Sequence, residues 1–158
     1  MEQQSMFSAA YKRLAIMLFI SFLIMYAAMY LNVFAVDHIY LSMTRLYMTL
    51  LMVCPMAIVM VVMMKSMYKN SGLNRLIVTI SMLVFVLAFL GLRKQTFIAD
   101  SQYMRGMISH HSSAILTSSN ANIIDPRVRK LADGIIASQQ KEIEEMKQLL
   151  DSIDNRAK

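Results

Sequence analysis

The chain has 158 residues, of which 57% are hydrophobic, and its mean hydropathy is +0.48. A soluble domain is typically about half apolar, so this composition favours a membrane protein. The net charge of +6 does not indicate nucleic-acid binding, because residues 97–158 carry balanced charges and the excess of Lys and Arg flanks apolar segments in residues 1–96.

Three uncharged apolar segments follow one another in the first 96 residues, over about 14–36, 46–64 and 76–92. Each approaches the roughly 20 residues that a helix needs to cross about 30 Å of hydrocarbon. The first is too long for a signal-peptide core and lacks a clear cleavage site, so it is interpreted as an uncleaved anchor. The sequence therefore predicts three transmembrane helices within residues 14–96. The lone cysteine, Cys54, is interpreted as a small buried hydrophobe.

Basic residues at the ends of these segments predict their orientation. Lys12 and Arg13 lie on one side of the membrane, together with three basic residues of the turn between the second and third segments. The opposite side carries Arg45, Arg93 and Lys94. Because basic residues favour the cytoplasmic side, we expect residues 1–13 in the cytoplasm and residues 97–158 outside it. In a bacterium, this corresponds to the inner membrane with a periplasmic C-terminal domain.

Residues 97–158 have the pattern of a soluble helical hairpin, with helices over Phe97 to about Ser119 and about Pro126 to Ile153. Asn120, Asn122 and Asp125 supply turn and N-cap chemistry before the second helix, and Pro126 fits its first position. Apolar residues recur along this helix at Ala132, Ile136, Ile143, Met146, Leu150 and Ile153, and with Gln139 they form a narrow packing seam. A hairpin this small buries little surface, so we expect a second copy to complete a four-helix bundle. The predicted fold class is an all-α membrane protein.

The first helix of this hairpin carries a group of possible metal ligands. Asp100, Met104, Met107 and His111 are spaced four, three and four residues apart, which places them on one stripe, and His110 lies about 100° away. Thioether sulfur and imidazole together favour Cu(I) or its analogue Ag(I). A ferritin-like di-iron site is excluded, because it needs glutamates that this helix lacks. Methionines at this spacing also commonly fill a core, so the pattern alone leaves both interpretations open.

Two stretches resemble a known family. The chain reads D-S-Q-Y-M-R-G-M-I-S-H-H-S-S-A-I from Asp100 and L-A-D-G-I-I-A-S-Q-Q-K-E-I-E-E-M from Leu131. Roughly the last 60 residues are thus similar to a bacterial family of ferritin-like, Met/His-rich helical domains, long catalogued as a domain of unknown function. Some of its members are periplasmic copper-binding proteins linked to copper resistance. The resemblance implies these metal ligands: Met104, Met107, His110, His111 and Met146. Asp100, Gln139 and Glu142 are further possible ligands.

The chain departs from this family in two ways. Leu116, Thr117 and Ser118 occupy a stretch in which relatives commonly have a methionine, so fewer sulfur ligands are present here. Many relatives also contain two copies of the hairpin, whereas this chain has one. The single copy again favours dimerisation.

A second methionine pattern lies in or beside the second apolar segment: Met48, Met52, Met56, Met60, Met63 and Met67. Gaps of three or four residues keep these side chains within an arc of about 120°. Such a face could conduct Cu(I) through the membrane, but methionine also packs between membrane helices, and no intramembrane charge accompanies it. Asp37 and His38, in the outward loop, are either a first contact point for a metal ion or ordinary polar loop residues.

The sequence therefore predicts a membrane-anchored protein that binds Cu(I) or Ag(I) outside the cytoplasm. Its expected role is to sequester the metal, or to pass it to copper-handling proteins, in metal tolerance. We do not expect an enzyme, since there is no nucleophile and base pair, phosphate loop or pair of catalytic carboxylates. A structural subunit of a membrane complex and a Cu(I) conduit remain as alternatives.

Overall fold

A computed structural model describes the backbone of residues 2–156 and the side chains of residues 9–156. Within this range it contains five α-helices and one 3-10 helix, Val36–His38, and no strand. The α-helices are α1 (Glu2–Ala28), α2 (Met43–Met63), α3 (Ser71–Lys94), α4 (Asp100–Asn120) and α5 (Pro126–Arg156). The predicted all-α fold with a C-terminal helical hairpin is confirmed.

Three of these helices are long and apolar enough to cross a membrane. The candidate spans are Ala9–Ala28, Met43–Met63 and Ser71–Lys94, with mean hydropathies of 1.5, 2.4 and 2.4. Only a small part of each span, 6%, 28% and 17% of its residues in chain order, is buried within the single chain. Helices that are apolar on all sides suit a lipid environment, where this exposure carries no cost.

The chain divides into two compact units. The boundary between the units does not coincide with the end of the first apolar segment. The first unit contains α1 together with Leu46–Thr96, and the second contains Met29–Arg45 and the residues from Phe97 onward. The first apolar segment extends to residue 36, but α1 ends at Ala28. Residues beyond it bond within the second unit instead, where the Tyr30 hydroxyl donates to the Tyr40 carbonyl at 2.9 Å.

In the first unit, a small core lies near the turn between α2 and α3. Leu14, Val61 and Tyr68 are buried together there. The Tyr11 ring lies 5.3 Å from that of Tyr68, and its hydroxyl donates to Asn74 Oδ1 at 2.7 Å. Asn74 Nδ2 donates to the Tyr68 carbonyl at 2.7 Å. Because these bonds satisfy polar groups at the helix ends, they hold the three helices together at this end of the unit.

At the other end of the first unit, Gly91 allows α3 to approach Tyr47 of α2. A Cβ atom on Gly91 would lie 2.9 Å from Tyr47 Cζ, and the buried Tyr47 side chain donates a hydrogen bond of 2.7 Å to the Thr96 carbonyl. We therefore expect Gly91→Ala to displace the ring and to lower the free energy of unfolding by about 1–3 kcal/mol. Thermal unfolding in detergent, followed by circular dichroism, measures this change.

Gly134→Ala is the matched control for this substitution. Gly134 lies on α5, and a Cβ atom there meets nothing within 4 Å. Alanine in an open helical position should raise stability by about 0.5–1 kcal/mol. A Gly91→Ala variant as stable as the Gly134→Ala variant would show that Tyr47 adjusts without loss.

In the second unit, α4 and α5 form the predicted hairpin. Asp125 Oδ1 accepts a hydrogen bond of 2.8 Å from the Arg127 N–H, and α5 begins at Pro126, which confirms the predicted cap. The core consists of five buried side chains: Met104, Ile108, Ile115, Ile143 and Leu150. Ile136, Met146 and Ile153 pack against this core, so the predicted seam of α5 is confirmed.

Candidate metal site

A single cavity of the second unit brings together most of the predicted ligands. Its volume is about 450 Å³. The residues that line it are Asp100, Tyr103, Met104, Met107, His111, Glu142, Glu145, Met146, Leu149 and Ile153. Three thioethers, one imidazole and three carboxylates therefore face one space between α4 and α5.

Helical spacing within the antiparallel hairpin explains this grouping. On α4, Met104 and His111 lie in the buried seam, and Met107 lies beside it, half-buried. On α5, Met146 is half-buried and packs against the core from the opposite side. The predicted ligands Met104, Met107, His111 and Met146 thus line one cavity in a single chain.

The His111 imidazole is held by Glu142. Its Nε2 atom lies 2.6 Å from Glu142 Oε2, and its side chain is 9% exposed. The hydrogen bond from the Ser138 hydroxyl, followed by that from His111, holds the pKa of Glu142 below its ordinary value, so this carboxylate accepts at neutral pH. In the neutral ring the proton therefore lies on Nε2, which leaves a lone pair on Nδ1.

The Nδ1 atom of His111 is itself buried and has no hydrogen-bond partner in the part of the chain that the structure describes. Buried polar atoms are rarely left without a partner, so this atom is a candidate ligand. A histidine whose other ring nitrogen is held by a carboxylate is the arrangement commonly found at metal sites. Met104, Met107, Met146 and His111 therefore carry the donor types that suit a soft monovalent ion such as Cu(I).

The structure does not contain a comparable group of ligands for a harder metal ion among the described residues. Among the described residues, no three His, Cys, Asp or Glu side chains are grouped so that they could hold a metal ion. The carboxylates of Asp100, Glu142 and Glu145 therefore serve better as a source of negative potential at the cavity than as a ligand cage. Within the described lining, no Lys or Arg opposes this potential.

Two residues implied by the resemblance lie outside the cavity lining. His110 is exposed, and its ring centroid lies 6.0 Å from that of His111. Gln139 is half-buried on α5 and does not line the cavity. Asp100 and Glu142, the other possible ligands, do line it. The structure thus separates the adjacent histidines into one that faces the cavity and one that faces solvent.

The methionines of the second apolar segment are placed differently. Met48, Met52, Met63 and Met67 are exposed in the single chain, with Met63 the most exposed at 77%. Met56 and Met60 are half-buried, and Met60 packs beside Leu14 and Val61. These side chains therefore do not enclose a continuous path within one chain.

The loop residues Asp37 and His38 bind the hairpin. Asp37 Oδ2 accepts from Lys147 Nζ at 2.5 Å. The fully buried Ser112 accepts from the Phe34 N–H at 2.7 Å, which leaves its hydroxyl proton for His38 Nδ1 at 2.9 Å. One face of α4 therefore fastens Met29–Arg45 to the hairpin, while its other face lines the cavity.

We expect this attachment to weaken as the pH falls from about 7 to 5. Burial, and then the charge of Lys147, lower the pKa of His38 from its ordinary value of 6.5, against the opposing charges of Asp37 and Glu144. Because the folded state favours neutral His38, an unfolded segment binds a proton first, and the stability of the attachment is lost as the pH falls below 6.5. Hydrogen exchange at the Phe34 amide, corrected for the intrinsic rate, measures this change.

His38→Gln is the control, since glutamine does not titrate. The pKa of Asp37 is lowered below its ordinary 3.8, mainly by the hydrogen bond from Lys147, so Asp37 contributes little between pH 7 and 5. The same loss of Phe34 protection in the His38→Gln variant would rule out His38 as the cause.

Four cavity residues were not predicted as site residues: Tyr103, Glu145, Leu149 and Ile153. The sequence spacing could have identified Tyr103, because it lies three residues after Asp100 and four before Met107 on the same stripe of α4. On α5, Glu145 likewise lies three residues after Glu142, and Leu149 lies four residues after Glu145. Their facing partners depend on how α4 and α5 pack, which spacing within one helix does not determine.

The chain is similar to a described protein family and to a viral protein. Residues 92–158 match a family described as "Domain of unknown function (DUF305)". An uncharacterised protein of Acanthamoeba polyphaga mimivirus is 40% identical over 119 residues, which cover 74% of this chain and 76% of the viral protein. An alignment of that length exceeds the C-terminal domain, so the similarity extends into the apolar helices. No solved structure matches the chain significantly.

Proposed function

The chain belongs to the same family as this uncharacterised mimivirus protein, and we propose that it is a membrane-anchored binding protein for Cu(I) or Ag(I). The observation that supports this proposal is the cavity lined by Met104, Met107, Met146 and His111. No catalysed reaction is part of it.

The chemistry of the cavity favours a soft monovalent cation over common divalent ions. Thioethers bind Cu(I) and Ag(I) well and bind Zn(II), Mg(II) and Ca(II) poorly, whereas imidazole accepts copper in either oxidation state. Three thioethers and the His111 imidazole are the soft and borderline donor groups that one chain brings to the cavity. Glu142 orients the imidazole, and the neighbouring carboxylates favour the approach of a cation.

The biological role that fits this site is metal sequestration or transfer in metal tolerance. With basic residues concentrated at the N-terminal end and in the α2–α3 turn, the proposed orientation puts the cavity on the side away from the cytoplasm. In a bacterial cell this is the periplasmic face of the inner membrane. Copper-handling proteins on that side would receive the ion.

We further propose that the hairpin pairs with a second copy. Two large side chains of the cavity lining, Tyr103 and Leu149, remain 55% and 50% exposed, and Leu131 near the start of α5 is 65% exposed. A second hairpin on this face would form a four-helix bundle and cover the cavity from water. Mass measurement of the detergent-solubilised chain should give a dimer or a higher oligomer, and a pure monomer would contradict pairing.

The proposed function is tested by competition between the full chain in detergent and a coloured Cu(I) chelator under anaerobic, reducing conditions. The variant carries His110→Ala, His111→Ala and Met107→Ala together. We expect the natural chain to remove copper from the chelator and the variant to remove much less. Equal binding by both would end the proposal, and stable co-purification with another chain and no metal would favour a structural subunit.

A further inference from the structure

A second cavity lies in the first unit, at the turn between α2 and α3. Its volume is about 650 Å³. Its lining combines three valines (Val61, Val62 and Val78) with Lys65, Lys69, Arg75 and several neutral polar residues. Lys65, Lys69 and Arg75 all extend from an exposed part of the chain. The cavity is therefore basic at its outer part and apolar along α2 and α3.

Among the side chains that the structure describes in the first unit, none is acidic. From residue 3 to residue 99 the sequence contains a single carboxylate, Asp37, and that residue belongs to the second unit, where it binds Lys147. The first residue of α3, Ser71, also lines the cavity, so the positive end of the helix dipole adds to the same potential. The site therefore attracts an anion.

The apolar part of the lining indicates what kind of anion this cavity would bind. Val61 lies on α2 four residues before Lys65, which follows the end of that helix, and Val78 follows Arg75 by three residues on α3. Lys65 and Arg75 thus share the lining of the cavity with apolar residues of the two membrane-spanning helices. A phosphate with an attached acyl chain satisfies both parts of the cavity at once. Basic pockets between membrane helices are known to bind anionic lipid headgroups.

We propose that this cavity is a binding site for the phosphate headgroup of an anionic glycerophospholipid, held by Lys65, Lys69 and Arg75. The acyl chains lie along Val61, Val62 and Val78. The buried Tyr68 also lines the cavity, and its carbonyl accepts a hydrogen bond from Asn74. This site is separate from the metal cavity and does not depend on whether the chain binds copper.

The test uses the full chain in mixed micelles with equal amounts of phosphatidylglycerol and phosphatidylcholine that have the same acyl chains. Lipids retained after mild delipidation are identified by native mass spectrometry. We expect the natural chain to retain phosphatidylglycerol preferentially, and Lys65→Gln/Arg75→Gln to reduce this preference roughly tenfold. Equal retention of the two lipids by the natural chain would overturn the proposal.

Two control variants separate the site from general basicity and from misfolding. Lys12→Gln removes an exposed cation that does not line the cavity, and it should keep the preference. Lys65→Arg/Arg75→Lys preserves both positive charges, so this variant should also keep the preference for phosphatidylglycerol. It tests the role of charge even if Lys65→Gln/Arg75→Gln does not fold. If Lys12→Gln loses the preference to the same degree as Lys65→Gln/Arg75→Gln, lipid binding depends on overall basicity and not on this cavity. Displacement of the retained lipid by excess inorganic phosphate would assign the cavity to free phosphate instead and would also overturn the proposal.

Discussion

Replacement of His111 by glutamine is expected to lower the Cu(I) affinity of the full chain by about 100-fold or more. His111 is the imidazole that lines the cavity, and its Nδ1 atom is buried without a hydrogen-bond partner among the described residues. Glutamine keeps a polar side chain that can still bond Glu142, but its amide is a poor ligand for Cu(I). Competition with a coloured Cu(I) chelator measures the affinity.

The neighbouring residue provides the matched control. His110 is exposed and lies outside the cavity lining, although it is equally part of the His-His motif. We expect His110→Gln to leave the affinity unchanged within experimental error. Equal losses in the two variants would contradict a site built within one hairpin and would favour a site at which His110 of a second copy also binds.

The second large effect is expected from the thioethers. Met107→Leu/Met146→Leu removes two of the three sulfur donors and should weaken Cu(I) and Ag(I) binding roughly tenfold or more. Leucine has nearly the volume of methionine, so each substitution should change the free energy of unfolding by less than about 1.5 kcal/mol. Chelator competition and thermal unfolding, measured on the same preparation, separate the loss of ligands from a loss of fold.

Met48→Leu/Met52→Leu is the control for sulfur content. These two methionines lie on α2, are exposed in the single chain, and belong to the methionine pattern that also suits a conduit. Binding should remain at the natural level in this variant. If instead it loses the metal while Met107→Leu/Met146→Leu keeps it, the binding site lies on α2 and the proposed cavity is wrong.

Much of the fold is predictable from local sequence patterns. Long uncharged segments predict the three apolar helices, and Asp125 with Pro126 predicts the start of α5. The end of α1 is not predictable in this way. The residues after Ala28 remain uncharged, so they resemble a continuing membrane helix, but their partners lie far along the chain: Phe34 binds Ser112, and Asn32 binds Ser113.

The candidate site is only partly predictable, because local spacing gives the residues of one helix but not their partners on another helix. Spacing within α4 places Met104, Met107 and His111 on one side of a single helix, whereas Met146 and Glu142 came only from the resemblance to a family. The choice between the two histidines depends on the rotation of α4 in the hairpin. His111 follows the buried Ile108 by three residues and precedes the buried Ile115 by four, so it continues the core seam, and His110 does not.

Metal analysis of the full chain, purified from cells grown with added copper, tests the central claim most directly. The cavity predicts about one copper ion per chain. It also predicts that copper is lost when His111, Met107 and Met146 are replaced together, while the helical content is unchanged. Copper-free protein, or protein that carries zinc or iron instead, would contradict the proposed Cu(I) site.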